Sequence, residues 1–174
     1  MTRGFASLNP QEALQVAIFI EDRNAGIYQR FAEMFTEFRD SESLEIAAVF
    51  WDMSVEEKRH GSLLKGKYQE RYGDGPFTLT EEDLLEMIEV PKLESGGIFE
   101  AAETAHPTPR ERALKVALDA ENSAHDFYAQ LVHSTADGPL RSLYLELSTM
   151  EDGHVIFLQG MLASSSAQEG KNVH

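Results

Sequence analysis

A chain of 174 residues is long enough to form one domain with a substantial core, and its 42% hydrophobic and 26% charged residues are ordinary for a globular protein. The net charge of −15 argues against partners that require a basic surface, namely nucleic acids and anionic membranes. Because the sequence has no cysteine, disulfides, thiolate metal ligands and thiol catalysis are excluded. It has neither a signal-peptide pattern nor a run of roughly 20 apolar residues, so we expect a cytoplasmic protein without a membrane segment.

Two long helices are predicted in the first part of the chain. Asn9-Pro10 is a good helix start, since asparagine caps well and proline suits the first helical position. A second helix is predicted from about Glu42 to Arg71, and both carry an inward stripe with 3-4-3-4 spacing. The stripes are Leu14, Ala17, Glu21, Asn24, Tyr28, Phe31 and Phe35, and then Ile46, Phe50, Met53, Glu57, His60 and Leu64. Glu21, Glu57 and His60 therefore stand where hydrophobic residues are expected.

Residues 72–108 interrupt the helical pattern. Gly73-Asp74-Gly75-Pro76 ends the second helix, and Thr80 caps a short amphipathic helix predicted over Leu84 to Ile88. Three further breaks follow at Pro91, Gly96-Gly97 and Pro107. The segment is too long for a tight turn, so it is predicted to be a crossover with a little structure of its own.

Two more long helices are predicted after the crossover. Thr108-Pro109 opens the third, and Asp137-Gly138-Pro139 makes the turn into the fourth. Their stripes are Leu114, Ala117, Glu121, Ala124, Tyr128 and Leu131, and then Leu140, Tyr144, Leu147, Glu151, His154, Leu158 and Met161. The polar residues 164–174 are predicted to be a disordered tail, which leaves residues 1–163 as the domain.

An internal repeat relates the two halves of the chain. Residues 13–21 match residues 113–121, and residues 54–66 match residues 148–160. The corresponding pairs are Glu21 with Glu121, Tyr28 with Tyr128, Glu57 with Glu151, and His60 with His154. The predicted fold is therefore all-α: a four-helix bundle made of two related antiparallel hairpins, joined by a long crossover with a short extra helix. A pseudo-twofold axis is expected to pass through the site.

The polar residues on the stripes predict a site for two metals. In Glu-x-x-His both side chains share one helix face, and two such motifs with two single glutamates form a known di-metal ligand set in bundles. Buried carboxylates need a counter-charge, and two divalent cations balance four of them. Oxygen-rich ligation with one imidazole per metal favours iron, with manganese as the alternative. The candidate metal-binding and catalytic residues are Glu21, Glu57, His60, Glu121, Glu151 and His154.

Symmetry suggests a role for each of these residues. Glu57 and Glu151 are expected to bridge the two metals, whereas the other two glutamates and the two histidines each bind one metal. Tyr28 and Tyr128 lie two turns beyond the single glutamates, and they either orient carboxylates, relay electrons or pack in the core. One Glu-x-x-His motif alone arises by chance in acidic helices, so the prediction depends on the repeated combination.

These residues resemble the ferritin-like di-iron superfamily, and specifically its rubrerythrin branch. The resemblance covers residues 10–162 and rests on Glu21 with Tyr28, Glu57-x-x-His60, Ala120-Glu121-Asn122 and Glu151-x-x-His154. It implies a non-haem di-iron centre with ferroxidase or peroxidase activity, in which peroxide or oxygen oxidises ferrous iron in iron homeostasis or oxidative-stress protection. It also implies assembly as a homodimer or a larger homo-oligomer.

Two positions depart from rubrerythrins proper. Ala124 stands where those proteins have a further glutamate that takes part in a redox-linked ligand exchange, and the cysteine-bound rubredoxin iron that donates their electrons has no ligands here. The chain is therefore more similar to the rubredoxin-free erythrin domain, which also forms the soluble half of membrane-bound ferritins. An external electron donor, or ferrous iron itself, is expected. The alternatives are a non-turnover iron-storage or sensing module, a di-manganese catalase-like enzyme, a di-iron oxygenase and a metal-free structural bundle.

Overall fold

A computed structural model of the chain describes residues 5–88 and 107–169. After a 3-10 turn at Phe5–Ser7, the described residues form four long helices and one short one. They are α1 (Pro10–Phe38), α2 (Ser41–Tyr72), α3 (Glu81–Met87), α4 (Pro109–Ser134) and α5 (Pro139–Glu169). Among these described residues no helix is both long and apolar enough to cross a bilayer.

The helix starts follow from local chemistry. The Asn9 side chain accepts hydrogen bonds from the backbone of Gln11 and Glu12, and the Glu12 carboxylate accepts one from the Asn9 backbone N–H, so a capping box opens α1. The same reciprocal arrangement joins Thr108 and Glu111 at the start of α4. Each cap satisfies amide groups that have no partner within their own helix. Both helices begin where the sequence predicts.

The long helices pack as two hairpins. Helix α1 packs along α2 and α4 packs along α5, while α1 also contacts α4. The all-α bundle of two antiparallel hairpins joined by a long crossover is thus confirmed, and α3 is its short extra helix. Of the crossover, residues 73–88 and 107–108 are described, and the predicted breaks at Pro91 and Gly96-Gly97 lie outside the described residues.

Two apolar clusters fill the bundle on either side of a polar layer. One contains Leu14, Leu64, Ala124 and Leu147, and the other contains Phe31, Phe50, Leu114 and Leu158. On every long helix the glutamate of the predicted site lies between a residue of one cluster and a residue of the other. Every predicted stripe residue is buried, apart from His154 and Met161, which are partly buried. The helical periodicity therefore identified the core.

Two predicted helices have other bounds in the structure. Helix α3 begins at Glu81, directly after its Thr80 cap, and ends at Met87, whereas it was predicted over Leu84 to Ile88. Helix α5 continues to Glu169, so the residues directly after Ala163 are helical and do not begin a disordered tail. The sequence Ser-Ser-Ser-Ala-Gln-Glu has no glycine or proline to stop a helix, although it is polar. Ser164 and Ser165 also donate hydroxyl hydrogen bonds to the carbonyls of Gly160 and Met161, at 2.9 and 3.1 Å. Residues 170–174 lie outside the described part of the chain.

Candidate metal centre

The structure brings all six predicted ligands together in the middle of the bundle. Helices α1 and α4 each contribute one glutamate, and α2 and α5 each contribute a glutamate with a histidine one turn later. These residues are Glu21, Glu57, His60, Glu121, Glu151 and His154. All four glutamates are 0% exposed, and the side chains of His60 and His154 are 6% and 14% exposed. The burial of four carboxyl groups in one layer is the central feature of the site.

The six side chains divide into two overlapping groups. One contains Glu21, Glu57, His60 and Glu151, and the other contains Glu57, Glu121, Glu151 and His154. Within each group the potential ligand atoms all lie within 4.8 Å of one another. Glu57 and Glu151 belong to both groups, and these are the two residues that symmetry predicts to bridge a pair of metals.

Both histidines direct the same ring nitrogen at the carboxylates. His60 Nδ1 lies 3.4 Å from Glu21 Oε2 and 3.5 Å from Glu151 Oε1. His154 Nδ1 lies 3.3 Å from an oxygen of Glu57 and 3.3 Å from Glu121 Oε2. The two rings are 6.2 Å apart between centroids. Nδ1 is therefore the ligand atom that each histidine offers.

The two predicted tyrosines contact the site crosswise. Tyr28 on α1 donates its hydroxyl hydrogen bond to Glu121 Oε1 on α4, and Tyr128 on α4 donates to Glu21 Oε1 on α1. Both tyrosines are fully buried. Each one thus holds the single glutamate of the opposite hairpin, which agrees with the predicted role in orienting carboxylates. The electron-relay role stays a prediction.

Several polar atoms of the cluster have no hydrogen-bond partner among residues 5–88 and 107–169. They are Glu21 Oε2, both carboxylate oxygens of Glu57 and of Glu151, and His60 Nδ1. Buried polar groups without partners are costly and rare in native proteins. All these atoms are metal-ligand atoms by type, and they converge on one layer. The residues present therefore fit a pair of oxygen-preferring cations.

Without metal, the ionisation of the cluster is strongly perturbed. Burial raises the pKa of Glu21 and of Glu121 well above the usual value. Burial also acts to raise the pKa of Glu57 and to lower that of His60. The nearby histidines, His154 first and then His60, outweigh burial at Glu57, and the carboxylates of Glu151, Glu21 and Glu57 outweigh it at His60. As a result the pKa of Glu57 is lowered, and that of His60 is raised to about 12. In the metal-free chain, the protons bound by the groups with raised pKa values thus stabilise the cluster.

His154 has a further partner that the sequence did not predict. Its outer nitrogen, Nε2, lies 2.7 Å from Glu56 Oε2, and the Glu56 side chain is 58% exposed. Glu56 precedes a stripe residue and so belongs to the outward face of α2. The only sequence signal was its position next to Glu57.

Arg23 and Asn24 also lie beside the site. The Arg23 guanidinium donates to Asn24 Oδ1 at 2.8 Å, and the Asn24 side chain is fully buried. Burial lowers the pKa of Arg23, although the negative charge of Glu121 and Glu21 partly opposes this. The sequence placed Asn24 on the stripe but assigned no cation near the cluster. His125, one turn from Glu121, places its Nδ1 3.2 Å from Asp126 Oδ1.

Comparison with known proteins gives a fold but no function. No family model and no curated protein matches the sequence. A crystal structure of an uncharacterized conserved protein from Magnetospirillum magnetotacticum MS-1 is similar, with a TM-score of 0.63 and 23% identity over 90% of this chain and 95% of that one. At this identity the likeness supports the helical bundle alone.

Proposed function

We propose that this chain binds two metal ions, which we expect to be iron, and oxidises ferrous iron with peroxide or dioxygen. The observation that carries the proposal is the set of unpartnered carboxylate oxygens on Glu57 and Glu151, both fully buried and both common to the two ligand groups. A fold does not place such oxygens in its centre unless something else neutralises them. A pair of divalent cations is the simplest partner for four carboxyl groups.

The ligand types favour iron. Each group offers three carboxylates and one imidazole, a hard, oxygen-rich set, whereas structural zinc sites prefer sulfur and nitrogen. Manganese prefers similar ligands and is the alternative. The resemblance to the rubrerythrin branch of ferritin-like di-iron proteins supports iron as well. Since the sequence has no cysteine, electrons would come from ferrous iron or from a separate donor.

The protein's own residues would hold and tune the centre. Glu57 and Glu151 belong to both ligand groups and would therefore serve either metal, and carboxylates can change their binding mode when the metal charge changes. Tyr28 and Tyr128 hold the two single glutamates by hydrogen bonds, so that those ligands keep their orientation. The apolar clusters cover the layer on both sides along the bundle. Bound iron would supply the electrons that reduce peroxide or dioxygen.

Metal analysis of purified variants tests the binding step. We expect about two iron ions per wild-type chain and the loss of most iron in Glu57→Ala and in His154→Ala. The matched controls are Glu45→Ala, an exposed glutamate on the same helix as Glu57, and His125→Ala, a histidine that does not contact the cluster. If both ligand variants still hold two irons per chain, the assignment is wrong.

Turnover then separates the chemical alternatives. Successive additions of ferrous iron under oxygen or peroxide should form ferric product repeatedly, which absorbance measurements follow. Product formation that stops at the first loading would instead identify a storage or sensing module. Decomposition of peroxide by the manganese form without a reductant would identify a catalase-like enzyme.

A further inference from the structure

The two halves of the metal centre are not equivalent beyond their ligands. His154 Nε2 lies 2.7 Å from Glu56 Oε2, and the internal repeat places Met150 at the position on α5 that corresponds to Glu56. A thioether is only a weak hydrogen-bond acceptor, so Met150 is no substitute for a carboxylate. Accordingly, His60 Nε2 makes no hydrogen bond with any residue in the ranges 5–88 and 107–169. One histidine has an outer partner and the other does not.

The contact between Glu56 and His154 has a defined effect on His154 as a metal ligand. A carboxylate only accepts hydrogen bonds, so Glu56 retains the proton on Nε2 of His154 when the ring is neutral. The lone pair is then on Nδ1, the nitrogen that faces Glu57 and Glu121 at 3.3 Å. The same hydrogen bond fixes the ring plane, and it makes the Nδ1 lone pair a stronger electron donor to a bound cation. Loss of such an outer partner typically weakens metal binding about 10–100-fold.

An ordinary surface ion pair would behave differently. Glu56 is more than half exposed, and exposed ion pairs contribute little to stability because water and salt screen them. The effect on His154 does not depend on that small energy, because it acts through the choice of ring tautomer and through orientation. A change in cation affinity at the His154 position therefore distinguishes a positioning role of Glu56 from an ordinary surface ion pair. A change in thermal stability does not distinguish them.

We propose that Glu56 is a positioning residue that strengthens cation binding at the His154 position and has no counterpart at the His60 position. The two metal positions of the centre are therefore unequal, despite the repeat that generates their ligands. This inference rests on the proposed function, since it requires that the cluster bind two cations. It adds a residue from the outward face of α2 to a site otherwise built from inward stripes.

Cobalt(II) titration of the metal-free full chain tests the inference, with affinity read from ligand-field absorbance and calorimetry. Glu56→Ala is made in His60→Ala, which keeps every residue of the His154 ligand group, and in His154→Ala, which keeps every residue of the His60 group. Although His154→Ala is expected to hold little iron, cobalt(II) in excess can still load its remaining group. We expect about a 10–100-fold loss of affinity in the first background and no change in the second. Glu56→Gln should recover part of the loss, because its amide oxygen still accepts a hydrogen bond from Nε2.

Asp152→Asn is the matched control for charge. Asp152 is exposed and adjacent to Glu151, and it contacts neither histidine, so this variant removes a negative charge from the site without removing the hydrogen bond. An equal loss in Asp152→Asn and Glu56→Ala would overturn the inference in favour of a general field effect. An equal effect of Glu56→Ala in both backgrounds, or none in either, would overturn it too.

The intact centre gives a second measurement, which remains informative if the histidine variants bind no cobalt. In the two-histidine chain, Glu56→Ala should weaken one of the two binding steps and leave the other unchanged. Weakening of both steps, or of neither, contradicts the inference while leaving the proposed function in place. If the wild-type chain binds no cobalt at all, the proposed function itself fails.

Discussion

Two buried tyrosines connect the hairpins through the site. Tyr28 donates to Glu121 and Tyr128 donates to Glu21, so each hydroxyl crosses from one hairpin to the other. Since burial raises the pKa of both glutamates, these carboxyl groups depend on protein partners and not on water. A third buried tyrosine, Tyr144, lies 6.1 Å from Tyr128 between ring centroids, and among the described residues its hydroxyl has no hydrogen-bond partner. The three residues thus form a natural comparison.

Removal of the hydroxyl group should affect the free energy of unfolding differently at the three tyrosines. Tyr28→Phe and Tyr128→Phe each leave a buried carboxyl oxygen without its donor, so we expect each to lower the free energy of unfolding of the metal-free chain by about 1–3 kcal/mol. Tyr144→Phe removes only a hydroxyl that is already unpartnered, and stability should stay the same or rise. Chemical denaturation at equilibrium measures all three. A loss in Tyr144→Phe as large as in the other two would contradict the argument.

Periodicity made the six ligands predictable, and it also explains what was missed. Glu21 and Glu121 were identified because each occupies a stripe position whose neighbours are apolar, a pattern that one helix displays by itself. Glu56 occupies an outward position, and its contact with His154 depends on how α2 lies beside α5. Packing between helices is not encoded in the period of either one. The residues that modify a site are therefore harder to predict than those that form it.

At the scale of elements, the starts of the long helices were predicted more accurately than the end of α5. The cap residues Asn9 and Thr108 mark where α1 and α4 begin, since the chemistry of a cap is local. The end of α5 was placed too early because polarity was taken as a stop signal, although helices tolerate polar residues on a solvated face. The sequence also gave no indication of what attaches the crossover to the bundle.

Gln15 makes that attachment. Its side chain is fully buried on α1, and its Oε1 accepts hydrogen bonds from the Leu79 backbone at 3.0 Å and from the Thr78 hydroxyl at 3.1 Å. Its Nε2 donates to the Tyr68 hydroxyl at 2.9 Å. One amide thus connects α1, α2 and the segment that leads into α3.

Gln15→Leu should therefore loosen the start of the crossover while the long helices stay folded. The Leu79 amide loses its acceptor, and an unsatisfied buried group costs about 1–3 kcal/mol, so exchange of that amide should accelerate by roughly one to two orders of magnitude. Hydrogen exchange followed by NMR measures it. Gln11→Leu is the control, because Gln11 also donates to Tyr68, at 2.9 Å, but does not contact Leu79. Equal exchange in the two variants would show that Gln15 does not hold the segment.

Across the whole molecule, the polar layer joins all four long helices. Each of them contributes at least one ionisable group, and the layer lies between the two apolar clusters, which share Tyr28. The charge state of the layer therefore acts on the entire bundle. In the metal-free chain the pKa of His60 is raised from 6.5 to about 12, and that of His154 is raised as well, because the surrounding glutamate carboxylates outweigh the opposing effect of burial.

Stability without metal should consequently fall as the pH rises. A group whose pKa is higher in the folded chain stabilises it fully below the unfolded value, and this contribution is lost as the pH approaches the folded value. For His60 that window runs from 6.5 to about 12, and the raised pKa values of Glu21 and Glu121 act in the same direction above 4.5. The lowered pKa values of Glu57 and Glu151 act oppositely, but only in acid.

Bound metal should oppose this fall of stability with pH. Its ligands bind as carboxylates and neutral imidazoles, so protons compete with the metal for them. Thermal unfolding between about pH 6.5 and 9.5 is the measurement, with a chelator in one series and excess cobalt(II) in the other. We expect the midpoint to fall with pH in the first series and the gap between the series to widen. A midpoint that stays constant with chelator would mean that protons do not hold the empty layer together. A constant difference between the unfolding midpoints of the two series would mean that the cations do not replace the protons of the empty layer.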